Sequence, residues 1–131
     1  MENSSPILEG CPCGSGKLYE ACCGVFHQAY NAPTAEALMR SRYSAFALGL
    51  VEYLYETTHP HKRAKNLKEE IASTCKALTW TKLEILSTWQ GREKDKVGKV
   101  SFRAFFMQEG QEGVHEEHSR FKRFGKVWVY F

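Results

Sequence analysis

At 131 residues the chain is long enough for one hydrophobic core and a small appendage. Hydrophobic residues at 43% and charged residues at 25% are ordinary globular proportions, and no apolar run approaches the length that spans a bilayer. The net charge of +3 is too mild to argue for a nucleic-acid partner, so a soluble, cytoplasmic protein without membrane insertion is expected.

Residues 1–10 are polar with one proline, and are expected to be loose. They lack the basic and apolar regions of a secretory signal. Cys11 to Gly24 follows, carrying four of the five cysteines in the spacing C-x-C-x8-C-C. Zinc takes four soft ligands in a tetrahedron, so Cys11 and Cys13 would grip it from one side and Cys22 and Cys23 from the other. Gly14 and Gly16 allow a sharp backbone after Cys13 and free amides to face sulfur. Lys17 is placed to offset part of the thiolate charge, and Gly24 to end a short helical turn presenting the second pair. Two disulfides are the competing reading. They are rare in the cytosol, and bridging the adjacent Cys22 and Cys23 would be strained. Four sulfurs leave no open position for water, so this zinc would be structural, and its loss is expected to spare residues 33–131.

Val25 to Ala32 reads as a linker ending at Pro33. Thr34 is an N-cap candidate for a helix to about Leu48, with Met39, Tyr43, Phe46 and Leu50 as its apolar stripe and Arg42 on the flank. Gly49 breaks the helix, and Val51–Thr57 forms a second one stopped by His59-Pro60. His61 to Lys65 is a basic loop. Asn66 with Glu69 makes a capping-box pattern for a third helix burying Leu67, Ile71, Cys75 and Leu78. Cys75 reads as a small buried hydrophobe.

From Thr79 the pattern turns to strands: Thr79–Trp89, Lys96–Gln108, Val114–Arg123 and Val127–Phe131. Helices first and an antiparallel meander after them argue α+β, with the helices on one sheet face. In the third strand His115, Glu117, Ser119 and Phe121 share a face, and Glu116, His118 and Arg120 the other. If Phe121 marks the buried face, Glu117 points into the concavity and Arg42 is its expected partner in a buried ion pair.

The run Cys-Pro-Cys-Gly-Ser-Gly-Lys-x-Tyr-x-x-Cys-Cys-Gly from Cys11 to Gly24 resembles the SEC-C zinc motif. Leu38 to Phe46, Thr58-His59-Pro60, Glu117 to Phe121 and Gly125 to Tyr130 resemble the bacterial YchJ family. The resemblance implies a zinc knuckle over residues 1–27 and a nuclear-transport-factor-2-like domain over residues 33–131, a curved sheet wrapped round helices. It also implies a protein or ribosomal partner, with Lys17, Leu18 and Tyr19 as exposed contacts. Such a cone often encloses a pocket, here from Arg42, Tyr43, Trp80, Trp89, Glu117 and Ser119.

Two functions follow from these readings. One is a zinc-binding, non-enzymatic interaction module; the other is a small-ligand or enzymatic pocket in the cone around Arg42 and Glu117. No nucleophile–base pair or phosphate loop supports a reaction class, and His59, His61, His115 and His118 lack ligand spacing. An open polar cavity would favour the second reading, and a filled apolar cone the first.

Overall fold

The computed structural model describes residues 10–131; the expected loose stretch 1–10 lies, but for Gly10, outside the described residues. A single 3-10 turn at Tyr19–Ala21 leads into α1 (Cys23–Ala29), α2 (Ala35–Leu48) and α3 (Val51–Glu56). A second 3-10 turn at Pro60–Lys62 precedes α4 (Leu67–Ala77). The strands β1 (Thr79–Gln90), β2 (Val97–Gln108), β3 (Gln111–Phe124) and β4 (Val127–Tyr130) form one antiparallel sheet in chain order. The architecture is the α+β arrangement that the element order implies. No helix among the described residues is long and apolar enough to cross a membrane.

Everything packs around α2. Thr34 caps it, its hydroxyl accepting from the Ala37 amide at 3.0 Å. Gly49 ends it in the left-handed region at φ 75°, where a side chain would be strained. Between these ends Leu38, Met39, Tyr43 and Ala45 are buried, and so are Ser41, Arg42 and Ser44. An amphipathic surface helix would leave its polar face wet. Here that face is covered by the cysteine stub and α3, while the apolar stripe meets the sheet. Cys11, Cys13 and Cys23 consequently belong to the same core as Leu38, Met39, Tyr43, Val100, Phe121 and Trp128. Ala45, Tyr53, Leu54 and Ile71 form a second cluster between α2, α3 and α4, with Cys75 packed against it.

The sheet is pinned to the helices at its edges. The Trp128 indole donates to Pro33 O at 3.1 Å, and the Ala35 amide donates to Gly91 O at 2.9 Å. Tyr130 exchanges backbone bonds with Thr57 and His59, both 2.8 Å, so β4 continues into a parallel bridge with Thr58.

Three local expectations differ. Val25 to Ala32 is no linker: α1 occupies most of it, because Phe26 and His27 turn onto the core, and Tyr30 ends the helix at φ 54° without a glycine. Gly24 lies inside α1 and does not terminate a turn. A Cβ there would stand 2.8 Å from Tyr19 O and 3.0 Å from the Tyr19 ring, so the glycine serves close approach. Asn66 precedes α4 but caps nothing; its amide donates to Glu70 Oε2 at 3.2 Å.

The α2 N-terminus meets the β1–β2 turn across two glycines. A Cβ on Gly98 would lie 2.4 Å from Gly91 Cα and 3.2 Å from Ala35 Cβ. Backbone cannot yield as a flexible side-chain end would, so Gly98→Ala should cost about 1–3 kcal/mol. Urea melts of the variant and the parent check this, and coincident midpoints would show that the contact has slack.

Candidate functional site

Cys11 and Cys13 come from a tight loop in which the Cys11 amide donates to Lys17 O at 2.9 Å and the Gly14 amide to Cys11 O at 3.1 Å. Gly14 and Gly16 sit at φ 80° and 88°, as that loop requires. The Gly14 amide thus serves a carbonyl; the bond onto the Cys11 sulfur comes from the Cys13 backbone. Cys22 and Cys23 enter at the start of α1. All five cysteines are free.

The four stub sulfurs lie within 4.8 Å of one another, and those of Cys13 and Cys22 are 3.7 Å apart. That is far beyond the about 2.05 Å of a disulfide. A tetrahedral thiolate site with sulfurs about 2.3 Å from its centre has edges of about 3.8 Å. The donor set therefore fits a metal ion, and the cage is closed by protein on all four corners.

The surroundings supply what the thiolates need. Ser44 Oγ lies 3.5 Å from the Cys11 sulfur and Ser15 Oγ 3.2 Å from the Cys22 sulfur. Side-chain hydrogen bonds within the cluster lower the Cys11 pKa and raise those of Cys13 and Cys23. The nearby cation is Arg40: Nη1 donates to Cys13 O at 3.0 Å and Nε to Glu36 Oε2 at 2.9 Å. Burial works against the Arg40 charge, but Glu36 and Cys13 outweigh it and raise the pKa. Lys17 is exposed beside the loop, and Leu18 is 59% exposed. Tyr19 is only partly exposed: its hydroxyl sits 2.6 Å from His27 Nδ1 and its ring packs on the core.

His27 ties α1 to α2. Its Nε2 lies 2.8 Å from Ser41 O, and a carbonyl can only accept, so Nε2 carries the proton and Nδ1 accepts from Tyr19. Reading these supporting contacts from sequence was possible in one case, since Arg40 and Ser44 are four apart on one face of α2. Nothing in the sequence pointed to His27.

The second candidate site is a cavity of about 500 Å³ between α2, α4 and the concave face of the sheet. Arg42, Tyr43, Trp80, Glu117 and Ser119 line it, with Phe102, Phe106 and Tyr130. Trp89 does not. It lies nine positions beyond Trp80, an odd step, and the two bulges of β1 add one residue each and leave that parity unchanged. Trp80 pairs with Phe106 inside, whereas Trp89 pairs with Lys99 outside, under its ammonium at 5.2 Å.

Glu117 and Arg42 both reach the cavity but form no ion pair. Tyr130 stands between them: its ring lies 4.8 Å beneath the Arg42 guanidinium, and its hydroxyl donates to Glu117 Oε2 at 2.8 Å. Ser119 donates to the same oxygen at 2.6 Å, and His115 Nε2 lies 2.8 Å from Oε1. Burial pushes the Glu117 pKa up, but these donors outweigh it and hold the carboxyl below its usual range. Arg42 Nη1 donates to Leu54 O, Thr57 Oγ1 and Thr58 Oγ1 instead, and burial lowers its pKa to about 10. Glu116, on the outer face, pairs with Arg103 at 2.8 Å in solvent.

The family described as "YchJ, middle NTF2-like domain" matches residues 34–131, and the SEC-C motif matches residues 9–24. A UPF0225 protein of Streptomyces avermitilis is 44% identical over 128 residues, 97% of this chain and 85% of that protein. A UPF0225 protein of Streptomyces coelicolor is 46% identical over 121 residues, 92% and 90% of the two chains. The solution structure of a SEC-C motif containing protein from Rhodopseudomonas palustris aligns with a TM-score of 0.79 at 37% identity, covering 92% of this chain and 93% of that one. The crystal structure of a SEC-C motif containing protein from Psychrobacter arcticus also gives 0.79, at 27% identity, covering 95% and 82%.

Burial lowers the His27 pKa, an effect its bond to Ser41 only partly offsets. The unfolded chain then takes up this proton at a higher pH than the folded one. Stability is therefore full above the unfolded value of about 6.5 and should fall as pH drops from there through the folded pKa. His59 is shifted the same way, so His27→Gln should reduce the slope without removing it. Urea midpoints across this range measure it, and parallel slopes for variant and parent would contradict the burial of a neutral ring.

Proposed function

The chain belongs to the YchJ (UPF0225) family, and from that membership we propose that it is a zinc-binding, non-enzymatic interaction module whose four-cysteine site is structural. The reading rests on one observation: four free sulfurs gathered within 4.8 Å of one another. Thiolates select soft or borderline ions, and four of them in a tetrahedron suit zinc. With every corner filled by protein the metal would offer no position to a substrate, so its part is to hold the loop. The loop then presents Lys17 and Leu18 outward, an apolar side chain beside a cation. The partner is a cytoplasmic protein surface, free or on the ribosome, that receives Leu18 in an apolar depression with acid at its rim.

The cone favours a second reading, a small-ligand pocket, because a cavity of about 500 Å³ is within the range of ligand sites. An enzymatic version has less behind it: Ser119 donates to a carboxylate rather than to a histidine ring.

Metal analysis of protein purified under reducing conditions should return one zinc per chain, and Cys22→Ser should lower that ratio. Replacing zinc with Co²⁺ should give the intense near-ultraviolet bands of a thiolate-bound tetrahedral ion. A metal-free protein with intact thiols would contradict the reading. For the docking surface, Lys17→Glu with Leu18→Ser should leave metal content and melting temperature unchanged while abolishing co-purification of a partner from host extract. Unchanged co-purification would place the surface elsewhere.

A further inference from the structure

The net charge of +3 is a sum over the whole surface and does not show how the charges are sorted. The outer face of the sheet sorts them by its ends. At one end Glu84 and Glu116 hold Arg103, at 3.9 and 2.8 Å, and Glu84 also holds Lys82 at 3.2 Å. At the other end the cross-strand row Trp89–Lys99–Arg120 carries no acid, and the Phe131 amide extends it by donating to Arg120 O at 3.0 Å. The Phe131 ring lies beneath the heads of Lys122 at 4.1 Å and Arg120 at 5.5 Å, which keeps both cations on this face.

The row runs on into a groove of about 570 Å³ between the β1–β2 and β3–β4 turns, lined by Lys94, Lys96 and Lys126 with Lys122. Arg123 ties the two turns together through Asp95 O at 3.1 Å and Lys126 O at 3.0 Å, so the groove is preformed. Of the acids there, Asp95 is taken by Arg92 at 2.8 Å, and Glu93 lines the groove beside Lys94. Among the described residues no carboxylate lies within ion-pair distance of Lys94, Lys96, Lys99, Arg120, Lys122 or Lys126.

Cations alone would suit any polyanion. Two rings narrow the choice: Trp89 and Phe124 are each 51% exposed, on the same face as the row. They stand two strands and four residues apart, about 17 Å at ordinary sheet spacings, with Lys99, Arg120 and Lys122 between them. Single-stranded nucleic acid has the matching pattern, phosphates for a strip of cations and unstacked bases for aromatic rings. A flat bilayer would touch the convex side of a curved sheet at few of these residues, and an acidic peptide brings no bases to the rings. Beside the row the Ser101 hydroxyl and His118 Nδ1 lie 2.6 Å apart, polar partners for a 2′-hydroxyl.

We propose that the outer face of the sheet binds single-stranded RNA, its phosphates on Lys99, Arg120, Lys122 and the groove lysines and its bases on Trp89 and Phe124. This surface lies on the opposite side of the sheet from α2 and the cysteine loop, and the proposal does not rest on the interaction-module reading.

Fluorescence anisotropy of a labelled oligo(A) RNA with the metal-loaded full chain tests it, alongside the matching DNA, an RNA duplex, poly-glutamate and phosphatidylserine vesicles. RNA should bind with a log–log salt slope of roughly −2 to −4, the value for about three to six phosphate contacts. It should shift the Trp89 indole N–H resonance and not those of Trp80 and Trp128, which face inward. The DNA and the duplex should bind about fivefold more weakly or worse. Trp89→Ala should weaken RNA binding by about fivefold or more, and Lys99→Gln with Arg120→Gln by roughly tenfold or more. Neither should move the melting temperature, because these side chains are exposed. Lys76→Gln, exposed on α4, should change nothing. Poly-glutamate or DNA bound as tightly as RNA overturns the proposal, as does RNA affinity indifferent to Trp89→Ala. Binding to the vesicles and not to RNA overturns it in favour of a membrane surface.

Discussion

Four thiolates crowded into one cage are stable only if a metal, hydrogen-bond donors and a nearby cation share their charge, and in this fold α2 supplies the last two. Ser44 faces Cys11, Arg40 reaches the Cys13 carbonyl, and the Ser41 carbonyl accepts from His27, which anchors the helix carrying the second cysteine pair. The stub is thus keyed into α2 along two of its turns. In return it covers the polar side of a helix that is buried from Ala35 to Ala45 at most positions. Without that cover Ser44 would lose its partner Cys11, and the core would lose Cys11, Cys13 and Cys23 from one flank. The expectation of a detachable knuckle does not fit this arrangement, because cage and cone share a core.

The other flank of α2 shows how a buried arginine is accommodated without a salt bridge. Arg42 gives its Nη1 to one carbonyl and two threonine hydroxyls and lays its face over Tyr130, whose hydroxyl goes on to Glu117. The tyrosine transmits a favourable interaction between the two charges while keeping them apart. A direct buried pair would gain Coulomb energy at the expense of desolvating both ends. The relay leaves Glu117 partly hydrated at the cavity and leaves guanidinium N–H groups toward it, so the sheet's concavity stays open instead of closing on an ion pair.

Local chemistry made much of this readable in advance. The cysteine spacing, the Thr34 cap, the Gly49 stop and the alternation of β3 each depend on residues within a few positions, and all four match the structure. What the sequence hid depended on distant neighbours. The helix α1 has neither an N-cap side-chain bond nor a C-terminal glycine, and it holds because Phe26 and His27 reach the core. Gly24 reads as a terminator but is small because Tyr19 lies on it. The Arg42–Glu117 pair was sound as a charge match, with both residues on the correct faces, and failed because β4 inserts Tyr130 between them. The placement of Trp89 in the pocket needed only a parity count along β1, which the bulges do not change.

Amide hydrogen exchange on the metal-loaded and the chelated protein tests the shared core most directly, because it resolves stability segment by segment. Removing the metal should strip protection from residues 11–29 and also from the α2 amides that face the cage, Arg40 to Ala45, with α4 and the β2–β3 ladder the least affected. Loss confined to residues 11–29, with α2 as protected as before, would show that the cone stands without its cage.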